Sequence, residues 1–160
     1  GVRFVQIYIN AQICANHTGL AIDLKTACER TDLPIAGLLS DLKQRGLLDE
    51  TLVVWGGEFG RLPIAQLSAD KDERKSGRDH NKNAACCWFA GGGVKGGTTY
   101  GSTDEIGLAA AENRVGVPDW HATILHLLGL DHEQLFIDQH GLREKLTGVE
   151  PAKIIHGIMA

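Results

Sequence analysis

Apolar residues fall along the chain in two patterns: short runs, and longer stretches repeating at three and four. Val2, Phe4, Ile7 and Ile9 form a mostly apolar run that predicts a first, central strand over Val2–Ile9, covered on both sides. A loop over Asn10–Thr18 follows and carries Asn16 and His17. Leu20–Arg30 has helical character. Leu33–Arg45 predicts a stronger helix, with Asp32 as N-cap, Pro34 in the first turn and Gly46 past the end. Its apolar residues Ile35, Leu38, Leu39 and Leu42 make one buried stripe. Leu52–Trp55 is a second buried strand that runs into Gly56, Gly57 and Glu58.

Strand, helix and strand in this order predict a β-α-β unit with parallel strands. Parallel strands end on one edge, so the loops carrying His17 and Glu58 are expected to face one crevice. Glu58 is then either a functional acid at the strand end or a solvated turn carboxylate. Residues 61–83 have little periodicity and contain the charged string Asp70–Lys75, which predicts a solvated excursion. It closes on the polar cluster Gly77-Arg78-Asp79-His80-Asn81, and Ala84–Ala90 resumes as a strand. If His80 shares the crevice with Glu58, that strand runs antiparallel to its neighbour. Trp55, Trp88 and Phe89 are expected in the core.

The glycines at 91–93, 96 and 97 read as turns, because no Lys-Ser/Thr ending or helix start follows them. Residues 98–118 read as mostly irregular. Asp119 is expected to cap a helix over Trp120–Leu128, stopped by Gly129 and buried through Ile124, Leu127 and Leu128. Five residues separate His121 from His126, about 140° around a helix, so they do not share a face as ligands would. A short helix is expected over Pro151–Met159.

Composition narrows the function classes. At 160 residues the chain is one domain or a large piece of one. Its net charge of −4, without a basic run, gives no reason to expect a nucleic-acid partner. No apolar stretch reaches the length of a membrane span, and none at the start resembles a signal peptide. The chain opens inside a strand pattern without an initiator Met, which suggests the C-terminal portion of a longer domain. Cys14, Cys28, Cys86 and Cys87 lack Cys-x-x-Cys spacing and are expected to be buried free thiols.

Several of these stretches together resemble one family. They are Asp41-Leu42-Lys43-Gln44-Arg45-Gly46-Leu47-Leu48, Val53-Val54-Trp55-Gly56-Gly57-Glu58-Phe59-Gly60-Arg61, Gly77-Arg78-Asp79-His80, the run from Ala90 to Gly97, and Asp119-Trp120-His121-Ala122-Thr123-Ile124-Leu125-His126-Leu127-Leu128-Gly129. The chain resembles the bacterial domain-of-unknown-function family 1501, a sulfatase-like branch of the alkaline phosphatase superfamily. The resemblance implies an α/β fold with a mixed, mostly parallel sheet flanked by helices. It implies one or two divalent metals, zinc or manganese, and an anionic sulfate or phosphate ester as substrate. His17, Glu58 and His80 match the metal-site order of the superfamily, 41 and 22 residues apart. Asp79 would be a further ligand or orient His80, and Arg61 or Arg78 would stabilise oxyanion charge.

Four departures bear on activity, the first being that the strand-end pair, Asp-His in the wider superfamily, is Glu58-Phe59 here, as in the family itself. Where relatives carry Trp-Asp-x-His, this chain has Cys14-Ala15-Asn16-His17, and Ala15 cannot bind a metal. Where relatives read Gly-Arg-Thr-Pro, this chain has Gly60-Arg61-Leu62-Pro63. The resemblance puts the nucleophile, like any export signal, upstream of Gly1. The leading expectation is therefore part of a metal-dependent hydrolase of sulfate or phosphate esters, inactive as the isolated chain, weakened in metal binding by Ala15, and needing its N-terminal half or an oligomer. The alternative is a non-catalytic sulfatase-like remnant that binds or assembles. A nucleotide-binding module has only the glycine runs in its favour.

Overall fold

The computed structural model describes residues 2–9 and 16–160. Two α-helices dominate the described residues: α1 (Leu20–Gln44) and α2 (Val117–Leu127). Eight short strands pair off in twos: β1 (Val53–Gly56) with β4 (Cys87–Ala90), β2 (Gly60–Arg61) with β3 (His80–Asn81), β5 (Ser102–Thr103) with β6 (Ala110–Glu112), and β7 (Phe136–Gln139) with β8 (Leu142–Lys145). All four pairs are antiparallel.

This overturns the expected α/β architecture with a mostly parallel sheet. Val2–Ile9 forms no strand, and its apolar side chains from Val2 to Ile9 are 44–81% exposed. Strand propensity is realised only against a partner, and β1 takes its cross-strand partners from β4, in register Val53↔Ala90 to Gly56↔Cys87. The antiparallel direction expected for the strand ending at Ala90 is observed. Helix α1 does not cross over a sheet; it packs on the single 3-10 turns Leu48–Glu50 and Glu73–Lys75. The expected Asn10–Thr18 loop lies largely outside the described residues, as do Cys14 and Ala15.

The two helical segments expected on either side of Asp32 are one helix, with Pro34 inside it. Asp32 caps nothing there; its carboxylate accepts the Thr31 hydroxyl, which also bonds the carbonyls of Ala27 and Cys28. Both helices stop where a glycine was expected to stop them. Gly46 (φ 67°) and Gly129 (φ 77°) take the left-handed conformation. Paired bonds close each end: Gly46 N to Lys43 O with Leu47 N to Leu42 O, and Gly129 N to His126 O with Leu130 N to Leu125 O.

Among the described residues the buried apolar side chains are few: Ala27 on α1, Ala122 on α2, and Ile155 and Ile158 of the C-terminal segment. Ala122 and Thr123 are fully buried on α2, and the C-terminal segment is fastened to that helix. Backbone N–H groups of that segment bond side chains of α2: Lys153 N to Asp119 Oδ1 (2.7 Å) and Ile155 N to Thr123 Oγ1 (3.0 Å). With those donors engaged, the helix expected over Pro151–Met159 shrinks to one 3-10 turn at His156–Ile158. The turn at residues 91–93 presses on Leu48, Thr51 and Leu52, where a Cβ at Gly91 would meet Leu48 O at 2.1 Å. Trp55 is 38% exposed and stacks on its cross-strand neighbour Trp88, while Phe89 turns to the other face of the strand pair, 6.1 Å from the Trp120 ring, so none of the three is the buried core residue expected. Cys28, Cys86 and Cys87 are free thiols as expected, but none of the three is buried.

Candidate metal centre

Three stretches of backbone build the site, and residues 75–81 run between the other two. On one side Thr18 bridges Ser76, Arg78 N bonds Asn16 O (2.9 Å), and Gly19 N and Leu20 N bond the carbonyls of Lys75 and Ser76. On the other side Gln66 and Gly77 bond in both directions (2.8 and 3.0 Å), Leu62 N bonds Asp79 O (2.9 Å), and β2 pairs with β3. Gly77 is where the strips close up: a Cβ there would lie 2.2 Å from Asn16 O. Gly60 is the second such point, with a Cβ 1.7 Å from Ala84 O.

This clamp brings His17, Asp79 and His80 together, each offering one donor atom, with all of these atoms within 4.8 Å of one another. The imidazoles of His17 and His80 meet edge to face at 4.7 Å. His17 Nδ1 lies 2.9 Å from Gln66 Oε1 and 3.6 Å from Asp79 Oδ1. His80 Nε2 lies 3.6 Å from Glu58 Oε1, and the ring of Phe59 packs 5.2 Å from the His80 ring. Arg61 Nη2 donates to the same Glu58 oxygen at 3.1 Å. The Glu58 carboxyl is lowered from its ordinary value, first by its own backbone N–H; burial opposes this as the next effect, and Arg61 and then His80 add smaller lowering contributions.

Of the six residues singled out in the sequence, five therefore gather at one place: His80 with His17, Glu58, Arg61 and Asp79 around it. Arg78 is placed elsewhere: its Nη1 donates to Leu62 O (3.1 Å), and its side chain lines a cleft beside Leu20, Leu24 and Cys28 of α1. The route by which they gather differs from the one expected. The shared edge of a parallel sheet is replaced by an antiparallel clamp, and Glu58 sits in the turn between β1 and β2.

Two further residues shape the site. Asn81, 2% exposed, ties β3 to the turn before β6: its Nδ2 donates to Leu108 O (3.0 Å) and its Oδ1 accepts Asn83 N (3.0 Å). Its place beside His80 in a compact polar cluster was the available signal. Gln66 lies in a stretch with little periodicity, and nothing local in the sequence marks it.

Two imidazoles and a carboxylate are the donor set of an open zinc site with three protein ligands, and manganese suits it as further oxygen donors join. Two bonds of about 2 Å to one ion span up to about 4 Å. The separation of up to 4.8 Å among these half-exposed side chains is a small rotation from that span. The residue types present thus fit a divalent metal, with Asp79 as the carboxylate among them.

A family model described as "Protein of unknown function (DUF1501)" matches residues 1–159. No curated protein and no solved structure matches the chain.

Proposed function

The chain belongs to the DUF1501 family, and we propose that it forms the metal-binding part of a sulfatase-like hydrolase of sulfate or phosphate esters. The observation that carries this reading is the meeting of His17, Asp79 and His80 at one point, with Glu58 3.6 Å from His80. These side chains are 37–60% exposed, open to a ligand from solution. Asp79 and Glu58 supply the negative charge that a divalent cation requires. A bound divalent metal would supply Lewis acidity toward a sulfuryl or phosphoryl oxygen and acidify an attacking group. Arg61 neutralises Glu58 and keeps a guanidinium beside the donors, where its planar fork suits a tetrahedral anion. Arg78, engaged with Leu62 and α1, takes no part in this reading.

Calorimetric titration of zinc and of manganese into the wild type, His80→Ala and Asp79→Asn tests it. Saturable binding of one ion is expected, with affinity lowered by at least about tenfold, roughly 1.4 kcal/mol, in either variant. Absence of binding by the wild type, or binding that both variants leave unchanged, would refute the proposal.

A further inference from the structure

Which nitrogen of a ligating imidazole binds the ion is decided by which one keeps its proton, and the surroundings of His17 make that choice. Nδ1 faces Gln66 Oε1 at 2.9 Å and Asp79 Oδ1 at 3.6 Å. An amide oxygen and an ionised carboxylate oxygen are acceptors only. A bare Nδ1 between them would set one lone pair against two others, whereas an Nδ1–H donates to the nearer one.

Gln66 is in a position to impose this. Its backbone is locked to Gly77 by bonds in both directions (2.8 and 3.0 Å). Gly77 in turn lies directly against the Asn16–His17 backbone, with no room for a side chain between them. The amide therefore stands on a fixed base, next to the strip that carries Asp79 and across from the strip that carries His17. We propose that Gln66 is a positioning residue, whose amide oxygen holds His17 as the Nδ1–H tautomer and leaves the Nε2 lone pair for a divalent cation. This rests on the metal-binding reading of the site. Ligating histidines characteristically donate their second ring N–H to a carbonyl or carboxylate, and loss of such a partner costs about 10- to 100-fold in metal affinity.

The test uses the whole chain with labelled histidine nitrogens, metal-free, at a pH where imidazoles are neutral. Two-bond proton–nitrogen correlation then shows which ring nitrogen of His17 carries the hydrogen. Nδ1–H is expected in the wild type, and a shift of population to Nε2–H in Gln66→Leu, which keeps the backbone bonds to Gly77 but loses the acceptor. Zinc affinity, measured by calorimetry on the same samples, is expected to fall about 10- to 100-fold in Gln66→Leu. Gln66→Glu, which restores an oxygen acceptor, is expected to recover both the tautomer and the affinity. A purely structural role for Gln66 would not produce that rescue. Nε2–H in a wild type that binds zinc would overturn the Gln66 assignment alone, as would a tautomer and affinity unchanged in Gln66→Leu. Nδ1–H in a wild type that binds no zinc would overturn the metal reading and with it the role of Gln66 toward a cation.

Discussion

A methyl group on residue 60 would sit 1.7 Å from the Ala84 carbonyl oxygen, and one on residue 77 would sit 2.2 Å from that of Asn16. Both obstacles are backbone, so no side-chain rotation relieves them. Gly60→Ala and Gly77→Ala are each expected to destabilise the fold by at least about 3 kcal/mol, the upper end for overpacked sites. Gly96→Ala, which meets nothing within 4 Å, is the control and should be close to neutral. Thermal unfolding of the three variants decides it; a Gly77→Ala variant as stable as the Gly96→Ala control would mean that the strips beside residue 77 can separate. Residues of the candidate site were legible at this scale because their type announces them: Glu58 behind a strand, and Asp79 and His80 in a polar cluster. Gln66 was not, since an amide among charged neighbours looks like any solvated side chain. Arg78 lies apart from them. Its motif neighbours reach the donors, while its own guanidinium is taken by the Leu62 carbonyl.

Among the elements, ends were easier to read than pairings. A helix stop is a local event, so Gly46 and Gly129 could be assigned from sequence alone. A strand partner is not local: the residues of Val2–Ile9 favour strands as much as those of β1, yet only β1 has a partner. The two-residue turn between β7 and β8 was missed because its left-handed pair is His140-Gly141, with φ of 51° and 81°, in place of the usual Asn-Gly. Asp119 was expected to cap a helix starting at Trp120; the helix starts at Val117 with Gly116 before it, and Asp119 acts from inside its first turn. Its Oδ2 accepts the N–H of Gly116, which precedes the helix, at 2.8 Å, while Oδ1 accepts Lys153 N from the C-terminal segment. One carboxylate therefore starts the helix and fastens the tail across it. Asp119→Ala is expected to cost about 1–2 kcal/mol, in the range of a lost cap. It should also speed amide hydrogen exchange at Lys153, a signal that a loss confined to the helix start would not give.

At the scale of the whole molecule the described residues make few layers and a small core. Large apolar side chains from Ile22 and Leu33 on α1 to Phe136 and Leu142 on the last hairpin stay exposed. Among the described residues, no helix is long and apolar enough to cross a membrane. Architecture was the least legible property, because a β-α-β order in the sequence specifies a parallel sheet only if its two strands pair. What the solvated reading of residues 61–83 did foresee is the charged excursion between Gln66 and Gly77. Its charged side chains bond one another, Ser68 and Lys75 to Asp70 and Arg74 to Asp72, with Lys75 and Ser68 bringing the Asp70 carboxyl down to about 2, while its last residues, Lys75 and Ser76, hold Gly19 and Leu20. Its ends are already stitched by the Gln66–Gly77 bonds, so its length is nearly independent of the geometry it closes. The excursion is thus a splice port. A flexible insertion of about ten residues between Asp70 and Lys71 would roughly double the loop, at an entropic cost of about 0.6 kcal/mol. A reporter peptide placed there should leave zinc affinity unchanged and the unfolding midpoint nearly so, which gives a handle for immobilising the protein with its histidines free.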